Sequence, residues 1–279
     1  MTLRCIDVVG SRAIATVQDL GRPGRMHEGI PAGGALVATW LRCVNAAVGN
    51  PVGLACIEWT GEITVQASDA VTVAWGRAPE VRTLRAGETL TATTPRDDRV
   101  GYLAVSGGFD VPEVLGGRGT MLVAAFGGWH GRLLWAGDRL PVGRISHPSG
   151  HATSASASST WEPGEPIRIV PGPDVHRFER GALATLLREP FAISRVCDRV
   201  GTRLDGPAIG RRELDDREST ATFPGAVQVP AGGTAIVLGP DAPVTGGYPV
   251  VAAVVSADLD RFHARAPGAA VRFVRARSG

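Results

Sequence analysis

Lysine is missing from this chain: all 29 basic residues among its 279 are arginine. That excludes a lysine nucleophile, a Schiff-base lysine and the phosphate-gripping lysine of a P-loop. Any phosphate or carboxylate must be held by arginine or by backbone N–H groups, and arginine's planar fork suits that task. Cysteine is scarce as well. Cys5, Cys43, Cys56 and Cys197 form no C-x-x-C pair, so no zinc site is expected. His147 and His151 have helical spacing, but Pro148 and Gly150 oppose a helix there, so the spacing is read as chance and no metal is expected. The net charge of +2 gives no electrostatic argument for nucleic acid or membrane as partners. Long apolar runs are lacking: Val250 to Val255 is far too short to span a bilayer. The start, Met1 to Val9, contains Arg4 and Asp7 and has no signal-peptide core. A cytoplasmic location with reduced thiols is the expectation. There is no Gly-x-Ser-x-Gly elbow, no His-Glu-x-x-His and no P-loop.

What the chain has is glycine and proline, 37 and 20 residues, dispersed throughout. With 44% hydrophobic and 20% charged residues, this reads as a globular chain of many short strands joined by turns. A token of small residues followed by a strand recurs at Ala86-Gly87, Ala136-Gly137, Gly232-Gly233 and Pro267-Gly268. Strands are predicted at 63–65, 70–74, 100–105, 167–170, 235–238 and 271–274. Leu36, Trp40, Cys43, Val44 and Ala47 lie on one face of a predicted helix over 35–48, with Asn45 off that stripe. Asp174 is placed to cap a second helix burying Phe178, Leu186 and Leu187. Ser256 or Asp258 can start a short third one burying Leu259 and Phe262. The Ser/Ala-rich stretch around 147–163 reads as a linker or long loop between a β-rich lobe over 1–146 and another over 164–279. The fold class is mainly β with a few helices (α+β), in two lobes.

Three clusters carry candidate chemistry. Gln18, Asp19 and Arg22 either form a local ion pair or jointly present charge to a ligand. Asp198, Arg199 and Arg203 surround Gly201, as a carboxylate or phosphate clamp or as a strand end stapled by ion pairs. Asp241, Thr245, Gly246, Gly247 and Tyr248, with Gln228, surround a turn in which the glycines can adopt φ > 0 and offer N–H groups to an anion, with Tyr248 able to move a proton. Gly116-Gly-Arg-Gly119 either carries Arg118 towards an anion or is a plain turn. Glu58 interrupts an apolar strand, so it needs a partner, structural or catalytic.

Six blocks occur in order: Thr16-Val-Gln-Asp-Leu-Gly-Arg22, Val48-Gly-Asn50, Tyr102-Leu-Ala-Val-Ser-Gly-Gly-Phe-Asp-Val-Pro112, Asp198-Arg199 with Gly201-Thr-Arg-Leu204, Gly225-Ala-Val-Gln-Val-Pro230 and Thr245-Gly-Gly-Tyr-Pro249. Together they resemble the biotin-dependent carboxyltransferase family, which takes in the 5-oxoprolinase C subunit, allophanate hydrolase subunit 2 and the antagonist of a sporulation-kinase inhibitor. The resemblance runs from about Ile14 to Phe273. It implies β-barrel lobes of cyclophilin-like character. It implies a subunit of an ATP-dependent amide hydrolase complex, acting on 5-oxoproline beside a cyclophilin-like B subunit (or an allophanate hydrolase subunit 1-like protein) and a third subunit, A. ATP with Mg would be shared with the partner, and without lysine this chain carries no covalent biotin. The implied catalytic residues are Asp19, Asp241 and Tyr248. The implied substrate or phosphate binders are Arg22, Arg118, Arg199, Arg203, Thr245, Gly246, Gly247, Gln228 and Asn45. Alternatives are a carboxyltransferase subunit of urea or allophanate breakdown and a non-catalytic regulatory partner. The chain departs from the family pattern at Val37, where a carboxylate is usual, at Cys197, and in a shortened stretch near Arg77.

Overall fold

The computed structural model describes residues 3–144, 161, 164–212 and 218–277. The chain divides into two compact units, one of Met1–Arg22 with Gly33–Thr160, the other of Pro23–Ala32 with Trp161–Gly279. The segment Pro23–Ala32, placed by sequence in the first lobe, therefore belongs to the second unit. The linker expected over 147–163 and the His147/His151 pair fall almost wholly outside the described residues. Among the described residues no helix is long and apolar enough to cross a membrane.

The first unit is built on a long antiparallel pair, β1 (Cys5–Gln18) and β2 (Cys56–Ala67), in register from Ile6 opposite Ala67 to Gln18 opposite Cys56. β3 (Val71–Trp75), β4 (Glu80–Leu84), β5 (Thr89–Thr93), β6 (Gly101–Val105) and β7 (Arg139–Pro141) extend it in the order β4-β3-β6-β2-β1-β7, with β5 also on β2. Alternation, switched by one residue at a bulge between Val8 and Gly10, puts Ile6, Val8, Ala15 and Val17 of β1 and Ile57, Trp59, Ile63 and Val65 of β2 into one core. Burying each such side chain contributes roughly 1.5–3 kcal/mol. Two glycines set how closely these strands pack. Gly61 has φ 106°, and a Cβ there would lie 2.5 Å from the Arg12 carbonyl oxygen. A Cβ on Gly101 would lie 2.6 Å from the Trp59 ring.

The helix α1 (Ala38–Ala47) starts later than its apolar periodicity predicts. The Leu36 N–H donates to Glu58 Oε2 and the Val37 N–H to the Tyr102 hydroxyl, so that turn is held by side chains instead of helical bonds. The buried face is Trp40, Leu41, Cys43, Val44 and Asn45, and Leu36 just before the helix is buried too; Ala47 is exposed. The predicted stripe is thus buried except at Ala47, and it widens to take in Leu41 and Asn45, the latter held inward by its hydrogen bonds.

The second unit carries β8 (Ile167–Pro171), β9 (Phe191–Cys197), β10 (Gly201–Asp205), β11 (Thr220–Ala221), β12 (Ala226–Gln228), β13 (Ile236–Leu238), β14 (Thr245–Gly246), β15 (Val250–Val254), β16 (Ala270–Val271) and β17 (Phe273–Arg275). Eight of them form one sheet in the order β16-β9-β10-β13-β12-β15-β8-β17. Its two edges are consecutive pieces of chain. Val271 pairs with Phe191 of β9, Phe273 pairs with Ile167 of β8, and only Arg272 lies between. The sheet therefore closes into a barrel around Ile167, Ile169, Ile193, Leu204, Val227, Val237 and Val251. A separate ribbon pairs β11 with β14.

Two helices pack on this barrel: α2 (Ala182–Arg188) buries Ala182 and Leu186, and α3 (Leu259–His263) buries Phe262. The helix expected from Asp174 is interrupted. A 3-10 turn over Val175–Arg177 precedes α2, and Asp174 accepts the Val250 N–H at 2.9 Å instead of capping a helix. Gly87, Gly137, Gly233 and Gly268, the recurring turn glycines, all have positive φ.

Candidate functional site

In the first unit, Asp19 and Arg22 serve one loop from two sides. Asp19 Oδ1 accepts the N–H groups of Gly21 (2.8 Å) and Gly119 (3.1 Å), and Oδ2 accepts that of Arg118 (2.6 Å). Arg22 Nε donates to the Val114 carbonyl (2.8 Å), and its Nη2 donates to the carbonyls of Gly117 (3.3 Å) and Gly119 (2.7 Å). The guanidinium also lies 4.8 Å from the centre of the Phe126 ring. Thus the carboxylate takes the loop's donors and the guanidinium takes its acceptors. Gln18 Nε2 donates a hydrogen bond to the Thr120 carbonyl (3.1 Å), and the Thr120 hydroxyl donates one to the Val17 carbonyl (2.9 Å).

The loop so held is strained: Leu115, Ala125 and His130 have φ of 57°, 52° and 56°. Three expected roles change as a result. Asp19 and Arg22 are buried and bonded to backbone, so neither faces a ligand as the catalytic acid and anion binder expected of them. Arg118 is half-buried, and its guanidinium donates to the Val111 carbonyl instead of reaching outward.

Asn45 is likewise internal. Its Nδ2 donates to Leu54 O (2.8 Å), Val52 O (3.4 Å) and Cys56 Sγ (3.2 Å), and its Oδ1 accepts from Asn50 Nδ2 (2.9 Å). Asn50 in turn accepts the Gly107 N–H (2.9 Å), which gives the Val-Gly-Asn block a structural reason. The expected ligand role of Asn45 gives way to pinning of this turn. Burial pushes the Cys56 thiol well above its ordinary range, so it stays protonated. Glu58 finds its partners in the Tyr102 hydroxyl (2.5 Å) and the Leu36 N–H (2.8 Å). Tyr102 and Thr120 escaped sequence reading because their partners lie 44 and 103 residues away.

In the second unit, the candidates gather on the outer face of the barrel. Val227 points into the core, so Ala226 and Gln228 point outward, where Ala226 joins Leu238, Ala242 and Val250 in a small apolar cluster. Arg199 and Asp241 are joined by a two-pronged ion pair, Nε to Oδ2 at 2.7 Å and Nη2 to Oδ1 at 2.9 Å. Asp198 Oδ1 accepts the N–H groups of Val200 (2.8 Å) and Gly201 (2.9 Å). Arg203 is on the exposed face of β10. Arg199 and Arg203 therefore do not form the clamp expected of them: the first is matched by a buried carboxylate and the second faces solvent. Asp241 acts as the counter-charge of Arg199, a positioning role in place of the catalytic one.

Gly246 and Gly247 are not among the glycines of positive φ, contrary to expectation. What Gly246 supplies is room: a Cβ there would lie 3.1 Å from both Gln228 Nε2 and Thr222 Cγ2. Gln228 is 6% exposed, while Thr245, Gly247 and Tyr248 are exposed, Tyr248 at 52%. Thr222, buried at 3%, also belongs here; its hydroxyl donates to the Pro243 carbonyl and ties the ribbon down. Nothing in the sequence around Thr222 flags it. Among the described residues, no three His, Cys, Asp or Glu side chains converge to hold a metal.

Several known proteins are similar to this chain along most of its length. It is 36% identical to the 5-oxoprolinase C subunit of Escherichia coli, over 97% of this chain and 91% of that one. It is 32% identical to the 5-oxoprolinase C subunit of Haemophilus influenzae, over 96% and 90%. Urea amidolyase of Lachancea kluyveri is 26% identical over 96% of this chain, which spans only 17% of that longer protein. Among solved structures, TTHA0988 superposes with a TM-score of 0.80 and 29% identity over 98% of this chain, which spans 56% of that one. The Kluyveromyces lactis urea carboxylase, 24% identical, shares the fold with a TM-score of 0.88 over 99% of this chain and 28% of its own. The family described as carboxyltransferase domain, subdomain A and B, matches residues 28–275, and to that family this chain belongs.

Proposed function

We propose that this chain is the C-type subunit of an ATP-dependent amide hydrolase complex that opens 5-oxoproline to glutamate, acting with a cyclophilin-like B subunit and a third subunit, A. The end-to-end likeness to the 5-oxoprolinase C subunit carries this reading. The balance is 5-oxoproline, ATP and two waters giving glutamate, ADP and phosphate. ATP supplies the activation that a resonance-stabilised amide needs. In this chain Arg22 donates to carbonyls of its own unit and Arg199 pairs with Asp241. The reading keeps ATP with Mg as a ligand shared with the partner subunits.

This chain's part is to bind and orient the cyclic amide. The setting of buried Gln228 against Gly246, beside the exposed Thr245 and Tyr248, supports that role, and Arg199 and Asp241 are tied by a two-pronged ion pair. Glutamate release from 5-oxoproline and ATP, measured on the chain alone and then mixed with its B and A subunits, tests the proposal. Release only in the mixture is expected. No release from a stably assembled mixture would overturn it.

The urea amidolyase relatives favour one second reading, a carboxyltransferase step on a urea-derived substrate. It predicts urea-dependent turnover with a separate biotin carrier in the same mixture.

A further inference from the structure

Gln228 is a buried polar group of the second unit that the fold itself does not explain. It is only 6% exposed. Among the described residues its side-chain amide has no hydrogen-bond partner, yet it is not one of the sealed, unbonded groups of the interior. A buried amide left without a partner is costly and calls for an explanation. Its surroundings are built around it. A Cβ on Gly246 would sit 3.1 Å from the amide nitrogen and 3.1 Å from Thr222 Cγ2, so the bare glycine leaves room between the two side chains. Thr222 is fixed in turn by its bond to the Pro243 carbonyl, and the ribbon by the pairing of Thr220 with Gly246 and Ala221 with Thr245.

Resting on the reading of this chain as an amide-opening subunit, we propose that the Gln228 carboxamide recognises the cis-amide edge of the substrate. Its Oε1 accepts the lactam N–H, and its Nε2 donates to the lactam carbonyl. A carboxamide and a cis amide each carry one donor and one acceptor side by side, so the two edges match in a pair of parallel hydrogen bonds. Ordinary peptide bonds are trans and put N–H and C=O on opposite edges, so they cannot make this pair. A lactam must be cis, and urea presents the same edge. Ring opening destroys the match: the carbonyl becomes a carboxylate and the nitrogen an ammonium, so Oε1 and Nε2 no longer face one partner. Recognition of substrate and release of product then follow from one side chain.

The test is kinetic, in the reconstituted complex. Gln228→Leu raises KM for 5-oxoproline about tenfold, the worth of two uncharged hydrogen bonds, while kcat moves less. It also removes competitive inhibition by 2-pyrrolidone, a lactam without a carboxylate. Gly246→Ala, which crowds the amide, shifts KM in the same direction. Superimposable thermal melts show that the fold is kept, and the isosteric Gln228→Glu, which loses the donor, replaces the leucine variant should that one not fold. An unchanged KM with unchanged 2-pyrrolidone inhibition in these variants overturns the inference. If the wild-type mixture releases no glutamate, the functional reading fails separately. Ligand-observed NMR with 2-pyrrolidone and with urea then decides: binding to the wild type that Gln228→Leu abolishes supports the inference, and equal binding, or none to the wild type, overturns it.

Discussion

Replacing Asp19 by alanine should damage the fold before it damages any chemistry. The carboxylate is 7% exposed and accepts three backbone N–H groups, from Gly21, Arg118 and Gly119, at 2.6 to 3.1 Å. Removing it strands three donors inside the first unit, each costing about 1–3 kcal/mol if left dry. Water entering the vacated space satisfies part of that demand, and neighbouring losses do not add fully. A net loss of about 3–5 kcal/mol follows, a large share of the ~5–15 kcal/mol that holds a typical domain folded. The strain at Leu115, Ala125 and His130 works in the same direction, because the loop is kept in that shape by the bonds being removed. Urea unfolding followed by tryptophan fluorescence measures the effect. With a slope of roughly 2 kcal/mol/M, the midpoint should fall by about 2 M. Asp19→Asn, which keeps one acceptor oxygen, should lie between the two. An unchanged midpoint accompanied by lost turnover would refute the reasoning and return Asp19 to a catalytic role.

Two further outcomes follow from the same geometry. Asn45→Ala removes bonds to Leu54, Val52, Cys56 and Asn50, and should cost about 2–3 kcal/mol in urea unfolding with KM unchanged; a raised KM at unchanged stability would restore a ligand role. Asp98 is 8% exposed, and burial pushes its carboxyl above the ordinary range, with the Arg77 charge opposing and that of Asp97 adding. The folded state therefore holds that proton more tightly than the unfolded chain, whose pKa is about 3.9, and stability falls as pH rises through the folded value. Asp98→Asn should melt higher than the wild type at neutral pH, with the advantage gone by about pH 3; an advantage that persists in acid would show that the carboxyl charge is not its source.

Much of this protein can be read from residue order alone. Glycine and proline spacing announces short strands and turns, and the turn glycines at 87, 137, 233 and 268 take the positive φ that their setting demands. Apolar runs mark β3, β6 and β13 because strands largely buried on both faces leave a continuous local signal, and alternation marks β8. The longest strands are less legible. β1 and β2 carry polar residues on their outer faces, and Arg12, Glu62 and Gly61 break any local run. The order of the blocks, and with it the family, is also a property of sequence.

What the charged residues do was decided by tertiary structure. Asp19 and Arg22 stand three positions apart and read as a pair, yet each is bonded to a loop about a hundred residues away. Arg199 and Arg203 read as a clamp, yet strand alternation turns one outward while Asp241, 42 residues on, matches the other. Neither outcome has a local cause. A hydrogen bond or ion pair forms with whatever group the fold brings within about 3 Å, and a buried charge must take the partner it meets there. Residue order determines which groups need partners; only the packed chain determines which partners they meet, and it leaves the buried amide of Gln228 without one among the described residues.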